Sequence, residues 1–151
     1  MALLFTVLFV ASGAFAYYFF GFGKPTSVRR AMLSVGSASF RVEIADTPML
    51  RALGLSGRDG LQADEGMLFL FETAHFPGFW MKGMKFPIDI VWIRGDEVKG
   101  VAERVPPEPE KSVFNLTLYH PPVEVDRVLE LPAGSVARFG IKAGDRVVFT
   151  P

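Results

Sequence analysis

The sequence predicts a mainly β protein: a compact β-sandwich or barrel-like domain with one or two short helices, preceded by an N-terminal transmembrane helix. Three observations predict it. Short apolar runs alternate with polar residues at the strand period of two, and Gly and Pro punctuate them. One clear helix start, Asp46-Thr47-Pro48, stands in the domain. Residues 2–22 carry no charged side chain.

As a helix, residues 2–22 would run about 31 Å, enough to cross a hydrocarbon core of about 30 Å. Two readings compete for them. A cleaved secretory signal would use residues 3–10 as its apolar core and Ala14-Phe15-Ala16 as a small-x-small cleavage site. Against it, no Lys or Arg precedes that core, and residues 17–22 stay apolar. An uncleaved signal-anchor accounts for the full length, with Tyr17 and Tyr18 near an interface. That reading is preferred. It gives residues 1–23 to the lipid bilayer, 24–30 to a linker and 31–151 to the β domain. Lys24, Arg29 and Arg30 follow with no acidic residue before Glu43. By the positive-inside rule these cations favour a cytoplasmic domain.

Within the domain, residues 31–35 and 39–45 read as strands joined by a tight turn at Gly36-Ser37. Asp46-Thr47-Pro48 opens a short helix: a capping side chain, then Pro in the first turn, where its missing N–H costs nothing. Gly54 ends that helix after Leu53. Residues 55–65 are rich in Gly and charge and read as loop. A strand over 67–71 is followed by a turn at Pro77-Gly78, then strands over 79–81 and 87–93. Gly95-Asp96 turns the chain into a strand over 98–105. Residues 106–110, Pro-Pro-Glu-Pro-Glu, cannot join a ladder. Strands over 125–131 and 145–150 flank residues 132–140, which have room for one helical turn.

Sixteen basic and sixteen acidic residues cancel and are intermixed, leaving no basic stripe for nucleic acid. Without cysteine, disulfides, thiolate catalysis and thiolate metal sites are excluded. His75 and His120 are the two histidines. No His-x-x-His pattern joins them, and Glu72 near His75 is too little for a metal site. No Gly-x-Ser-x-Gly surrounds a serine, and the glycines are scattered turns instead of a phosphate loop. No metal and no cofactor are expected.

An ordered series of motifs runs along the domain. It begins with Glu43-x-Ala45-x-Thr47-Pro48-x-x-Arg51-x-x-Gly54-Leu55-x-x-Arg58 and Gly66-Met67-Leu68-Phe69-x-Phe71. Phe79-Trp80-Met81-Lys82 and Pro87-Ile88-Asp89-Ile90 follow, then Val128-Leu129-Glu130-Leu131-x-Ala133-Gly134 and Gly144-Asp145. The series resembles the bacterial and archaeal family of domain of unknown function 192, over about residues 35–149. The resemblance implies a compact, mostly β domain, commonly behind a signal or membrane segment and outside the cytoplasm. It implies no established activity. Two departures stand out. Gly83-Met84 occupy the place where Asn-Thr usually follows Trp-Met-Lys, and Ser56 stands where Met usually follows Leu55.

Asp89 sits inside a run that otherwise reads as a buried strand, where a charge is costly unless paired or hydrogen-bonded. In a hairpin between residues 79–82 and 87–93, one register sets Lys82 within ion-pair reach of it. Trp80 and Lys82 share one strand face. The pair then either fixes strand register, or Asp89 caps backbone N–H groups, or Trp80, Lys82 and Asp89 line a pocket. Arg51 on the short helix and Arg58 in the following loop could reach one anionic group. A salt bridge from one of them to Glu43 or Asp89 is the plainer reading. The expectation is an anchored extracytoplasmic domain that binds a small ligand or an envelope protein without catalysis. Its candidate residues are Trp80, Lys82, Asp89, Arg51, Arg58 and Glu43. The alternatives are an envelope-polymer enzyme with Asp89 or Glu43 as acid or base, and a structural or assembly role marked by an exposed apolar patch.

Overall fold

The computed structural model describes residues 28–150. The transmembrane helix expected over residues 2–22 lies outside the described residues. Among the described residues, no helix is long and apolar enough to cross a membrane.

The described chain folds into one seven-stranded sheet. Its strands are β1 (Arg30–Val35), β2 (Ala38–Ala45), β3 (Glu65–His75), β4 (Ile88–Arg94), β5 (Glu97–Val105), β6 (Val125–Pro132) and β7 (Val147–Thr150). Two short helices, α1 (Pro48–Leu53) and α2 (Ser135–Phe139), complete it. The spatial order is β5-β4-β6-β3-β2-β1-β7. All neighbours are antiparallel except β2 and β3, which run parallel. The sheet curls until its outer strands touch at one end. Glu97 bridges Arg146, Val98 N–H donates to Asp145 O at 2.9 Å, and Val147 N–H donates to Asp96 O at 2.7 Å. Of the two β architectures expected, the barrel-like one is found, as a single curled sheet.

Local chemistry explains the entry to the parallel pair, which needs a crossover. Thr47 caps α1, its Oγ1 accepting from Leu50 N–H at 3.2 Å, and Pro48 fills the first turn. Gly54, at φ 51°, ends the helix by leaving the allowed range of ordinary side chains. The loop after it then delivers the chain to β3.

Two elements differ from the sequence expectation. β3 continues to His75, beyond the apolar run that ends at Phe71, because β6 supplies a ladder partner there: His75 pairs with Val125 after a bulge. Tertiary pairing outweighs the local polarity of residues 72–75. Residues 79–81 do not form a strand beside β4. Phe79 makes a single bridge to Tyr119, with N–H to O distances of 2.9 and 2.8 Å. β4 pairs instead with β5 and β6, so the 79–82/87–93 hairpin is absent.

The apolar residues make two layers. On the inner face of the curl, Leu33, Phe40, Leu68, Val91, Ile93, Leu129 and Leu131 pack together, joined by Val136 of α2. On the outer face of β3, β6 and β4, Met67, Phe69, Ile90, Trp92 and Val128 are covered by Leu55, Met81 and Met84 from loops. These three strands are therefore enclosed on both sides. A polar side chain on either face of them must find a partner or forgo one.

Candidate functional site

Two carboxyl groups lie in this doubly covered region, and they are treated differently. Asp89 on β4 is fully buried. Its Oδ1 accepts from Arg104 N–H at 2.7 Å, and its Oδ2 accepts from Val136 N–H, in the first turn of α2, at 2.8 Å. The register explains the first bond. Between Ile88↔Val105 and Ile90↔Ala102, Asp89 faces a bulge of two residues, Glu103 and Arg104, and Arg104 adopts φ 52°. Asp89 thus holds a bulge on one side and caps α2 on the other. Both oxygens are engaged by backbone, and Lys82 is not their partner.

Glu130 on β6 points to the outer layer and is 5 % exposed. Its neighbours across the ladders are Met67 and Ile90, both apolar. Its Oε2 is buried with no hydrogen-bond partner among the described residues. Burial pushes its carboxyl up to about 8, while the charge of Arg58 pulls it weakly the other way. A lone carboxyl in such a place costs stability.

Glu130 lies in the lining of a cleft of about 470 Å³. One wall comes from α1 and the residues after it: Arg51, Leu53 and Ser56. Another comes from β3, with Phe69, Phe71 and His75. The third is the covering loop with Phe76, Phe79, Trp80, Lys82 and Met84. The loops are tied to each other. Ser56 Oγ donates to Lys82 O at 2.5 Å, and Gly57 N–H donates to Gly83 O at 2.9 Å. Phe79 stands edge-on to both Phe69 and Trp92, with ring centroids 4.9 and 5.6 Å apart.

The six residues singled out from sequence divide into three groups. Trp80, Lys82 and Arg51 line the cleft. Trp80 is 45 % exposed at its mouth, with Lys82 Nζ 5.6 Å from the ring centroid. Arg51 donates to Asp46 O at 2.8 Å and Leu70 O at 2.9 Å, and its guanidinium lies 5.3 Å from the Phe71 centroid. Arg58 and Glu43 form a pair with each other at 2.5 Å, outside the cleft lining. That hydrogen bond, more than any other cause, holds Glu43 below the usual carboxylate range despite its partial burial, with Arg30 contributing. The two arginines do not converge on one anion. Asp89 lies apart from the cleft, enclosed between the bulge and α2.

Sequence reasoning missed Glu130. A weaker signal was present: a carboxylate between Leu129 and Leu131, in a strand that also carries Asp126 and Arg127. The two departures from the family pattern turn out to be neighbours. A side chain at Gly83 would meet Ser56 Cβ at 3.3 Å, and Gly83 takes φ 67°. The small residues fit each other at the edge of the cleft.

Comparison with known proteins agrees with this architecture. A solved structure from Sinorhizobium meliloti, described as a candidate transcription regulator, superposes with a TM-score of 0.75 at 29 % identity, covering 83 % of this chain and 98 % of its own. A protein of unknown function from Novosphingobium aromaticivorans gives 0.73 at 31 % identity, covering 83 % and 89 %. No curated protein matches the chain. The family of domain of unknown function 192, described as "Uncharacterized ACR", matches residues 31–149. With nearly the whole described region matched in order, the chain belongs to that family.

Proposed function

We propose that this is a binding domain whose cleft over Glu130 takes a small ligand, without catalysis. The observation that carries the reading is the buried, unpartnered Glu130 carboxyl in an aromatic-lined cleft. A fold retains such a group against its cost when a ligand completes it. Catalysis is poorly supplied here. Glu130 is the single carboxyl in the lining, and the Ser56 hydroxyl proton is directed to Lys82 O. Asp89 and Glu43, the acid–base candidates of the enzyme reading, are engaged elsewhere. The balanced and intermixed charge gives no support to nucleic-acid binding.

The test is a thermal-shift screen of small polar and aromatic molecules on the full-length chain. Hits should lose their effect in Trp80→Ala and Glu130→Gln and keep it in Arg94→Ala, on a distant strand end. Hits that persist in both cleft variants, or an empty screen, would overturn the reading.

We further propose that residues 1–23 anchor the domain to the lipid bilayer on its extracytoplasmic side, where a small solute or an envelope protein is at hand. The charge-free stretch over 2–22 and the family's usual placement support this. Protease added to intact cells should digest the domain. Protection in intact cells, lost on lysis, would place it inside.

A further inference from the structure

We infer that the cleft selects an organic ammonium ion, its N–H donors directed at the Glu130 carboxylate and its apolar part held among the rings of Phe69, Phe79 and Trp80. This rests on the binding reading above and names the chemistry of the ligand.

The partners of the lining groups lead to it. Four ionisable side chains line the cleft: Arg51, His75, Lys82 and Glu130. Arg51 donates to two backbone carbonyls and lies against Phe71. His75 Nδ1 is 3.1 Å from Thr73 O. Lys82 stands at the Trp80 ring. Arg58, whose field reaches Glu130, is paired with Glu43. Glu130 alone among the four is buried with a side-chain oxygen that has no hydrogen-bond partner among the described residues, whereas the Lys82 ammonium lies at the exposed Trp80 ring. In its ionised form the carboxyl is an acceptor only, so what that form lacks is a donor. A hydroxyl would give the ionised form one hydrogen bond and leave its charge uncompensated between the apolar neighbours Met67 and Ile90. An ammonium group gives donors and the opposite charge together.

The walls suit such a guest. Aromatic faces attract cations, and two rings here already hold one each, Phe71 with Arg51 and Trp80 with Lys82. The nearest ladder neighbours of Glu130, Met67 and Ile90, offer no competing donor. The volume falls in the range of about 300–1,000 Å³ usual for small-molecule sites. At pH 7 burial keeps the empty site's carboxyl protonated, so ionising it costs about tenfold in affinity. Formation of the pair must exceed that cost, and each binding event then expels one proton to solvent.

Three probes of nearly equal shape test the inference: benzylamine, benzyl alcohol and benzoate. They are titrated calorimetrically into the full-length chain in non-ionic detergent at pH 7, in two buffers of different ionisation enthalpy that are not amines. Benzylamine should bind at least about tenfold more tightly than benzyl alcohol, and benzoate should be weakest. The heat with benzylamine should differ between buffers by the enthalpy of nearly one proton. Glu130→Gln should lose both the preference and the buffer dependence, and Trp80→Ala, an exposed position that leaves the core intact, should weaken benzylamine. Equal affinity for the amine and the alcohol, a preference for benzoate, or a preference that survives Glu130→Gln overturns the ammonium assignment while leaving the cleft a binding site. No binding of any probe also overturns it, and the fragment screen then decides separately whether the cleft binds at all.

Discussion

Asp89 and Glu130 show how much a carboxyl's meaning depends on what faces it. Both stand in strands covered on two sides, and both are almost wholly buried. Asp89 meets two backbone N–H groups, one in a bulge and one at the start of α2. It therefore serves as a structural fastener. Asp89→Ala leaves two buried donors unsatisfied and should lower stability by about 2–4 kcal/mol. Asp89→Asn keeps one acceptor oxygen and should lose roughly half as much. Urea midpoints would measure both. If Asp89→Ala unfolds at the wild-type midpoint, the fastening role is wrong. In the sequence Asp89 is the more conspicuous carboxylate, because Asp126 and Arg127 precede Glu130 in its strand while apolar residues follow Asp89 up to Ile93.

At the level of elements, the legible parts were those with local chemistry. Gly36-Ser37 and Gly95-Asp96 do turn β1 into β2 and β4 into β5, and Thr47-Pro48 with Gly54 does bracket α1. The misread parts were settled by partners distant in sequence. The segment at 79–81 has the alternation of a strand, yet Met81 is buried and Phe79 half-buried as a cover over β3 and β4, with one bridge from Phe79 to Tyr119. Periodicity reports which side chains turn inward and not whether a ladder waits for the backbone. The same limit hid the site. Its walls come from α1, β3 and a loop, and no motif in a linear chain announces that Phe69, Trp80 and Glu130 share one cavity. Three of the six residues chosen from sequence were nevertheless in its lining, since all three lie on elements that converge there.

For the whole molecule, Glu130 ties stability to pH. Its carboxyl is raised from an ordinary 4.5 to about 8 in the folded chain, so between those values the folded state binds a proton that the unfolded state has lost. The sign follows: this contribution is fully present below about pH 4.5, declines as pH rises, and is gone above about pH 8. The slope in that window is about 1.4 kcal/mol per pH unit at most. Denaturant melts of wild type and Glu130→Gln across pH 5 to 8.5 isolate it (pH values set on the order of one unit apart). Wild type should lose stability relative to the variant on going to high pH. Parallel curves would show that Glu130 is not the group responsible. A bound ammonium ion should flatten the wild-type decline, because it stabilises the ionised form.

The meeting of the curled sheet's outer strands has a consequence for how the chain reaches its native state. β1 opens the described sheet and lies between β2 and β7, the last strand, whose partners are Met32 to Val35. Early and late segments must therefore find each other before the curl can shut, a non-local step that is intrinsically slow. While a ribosome is still making residues 147–150, Leu33 and Val35 have no neighbour on that flank, and the nascent domain remains incomplete. Its topology thus sets a clock on assembly, and the same clock leaves an interval in which the open flank of β1 needs protection from other chains.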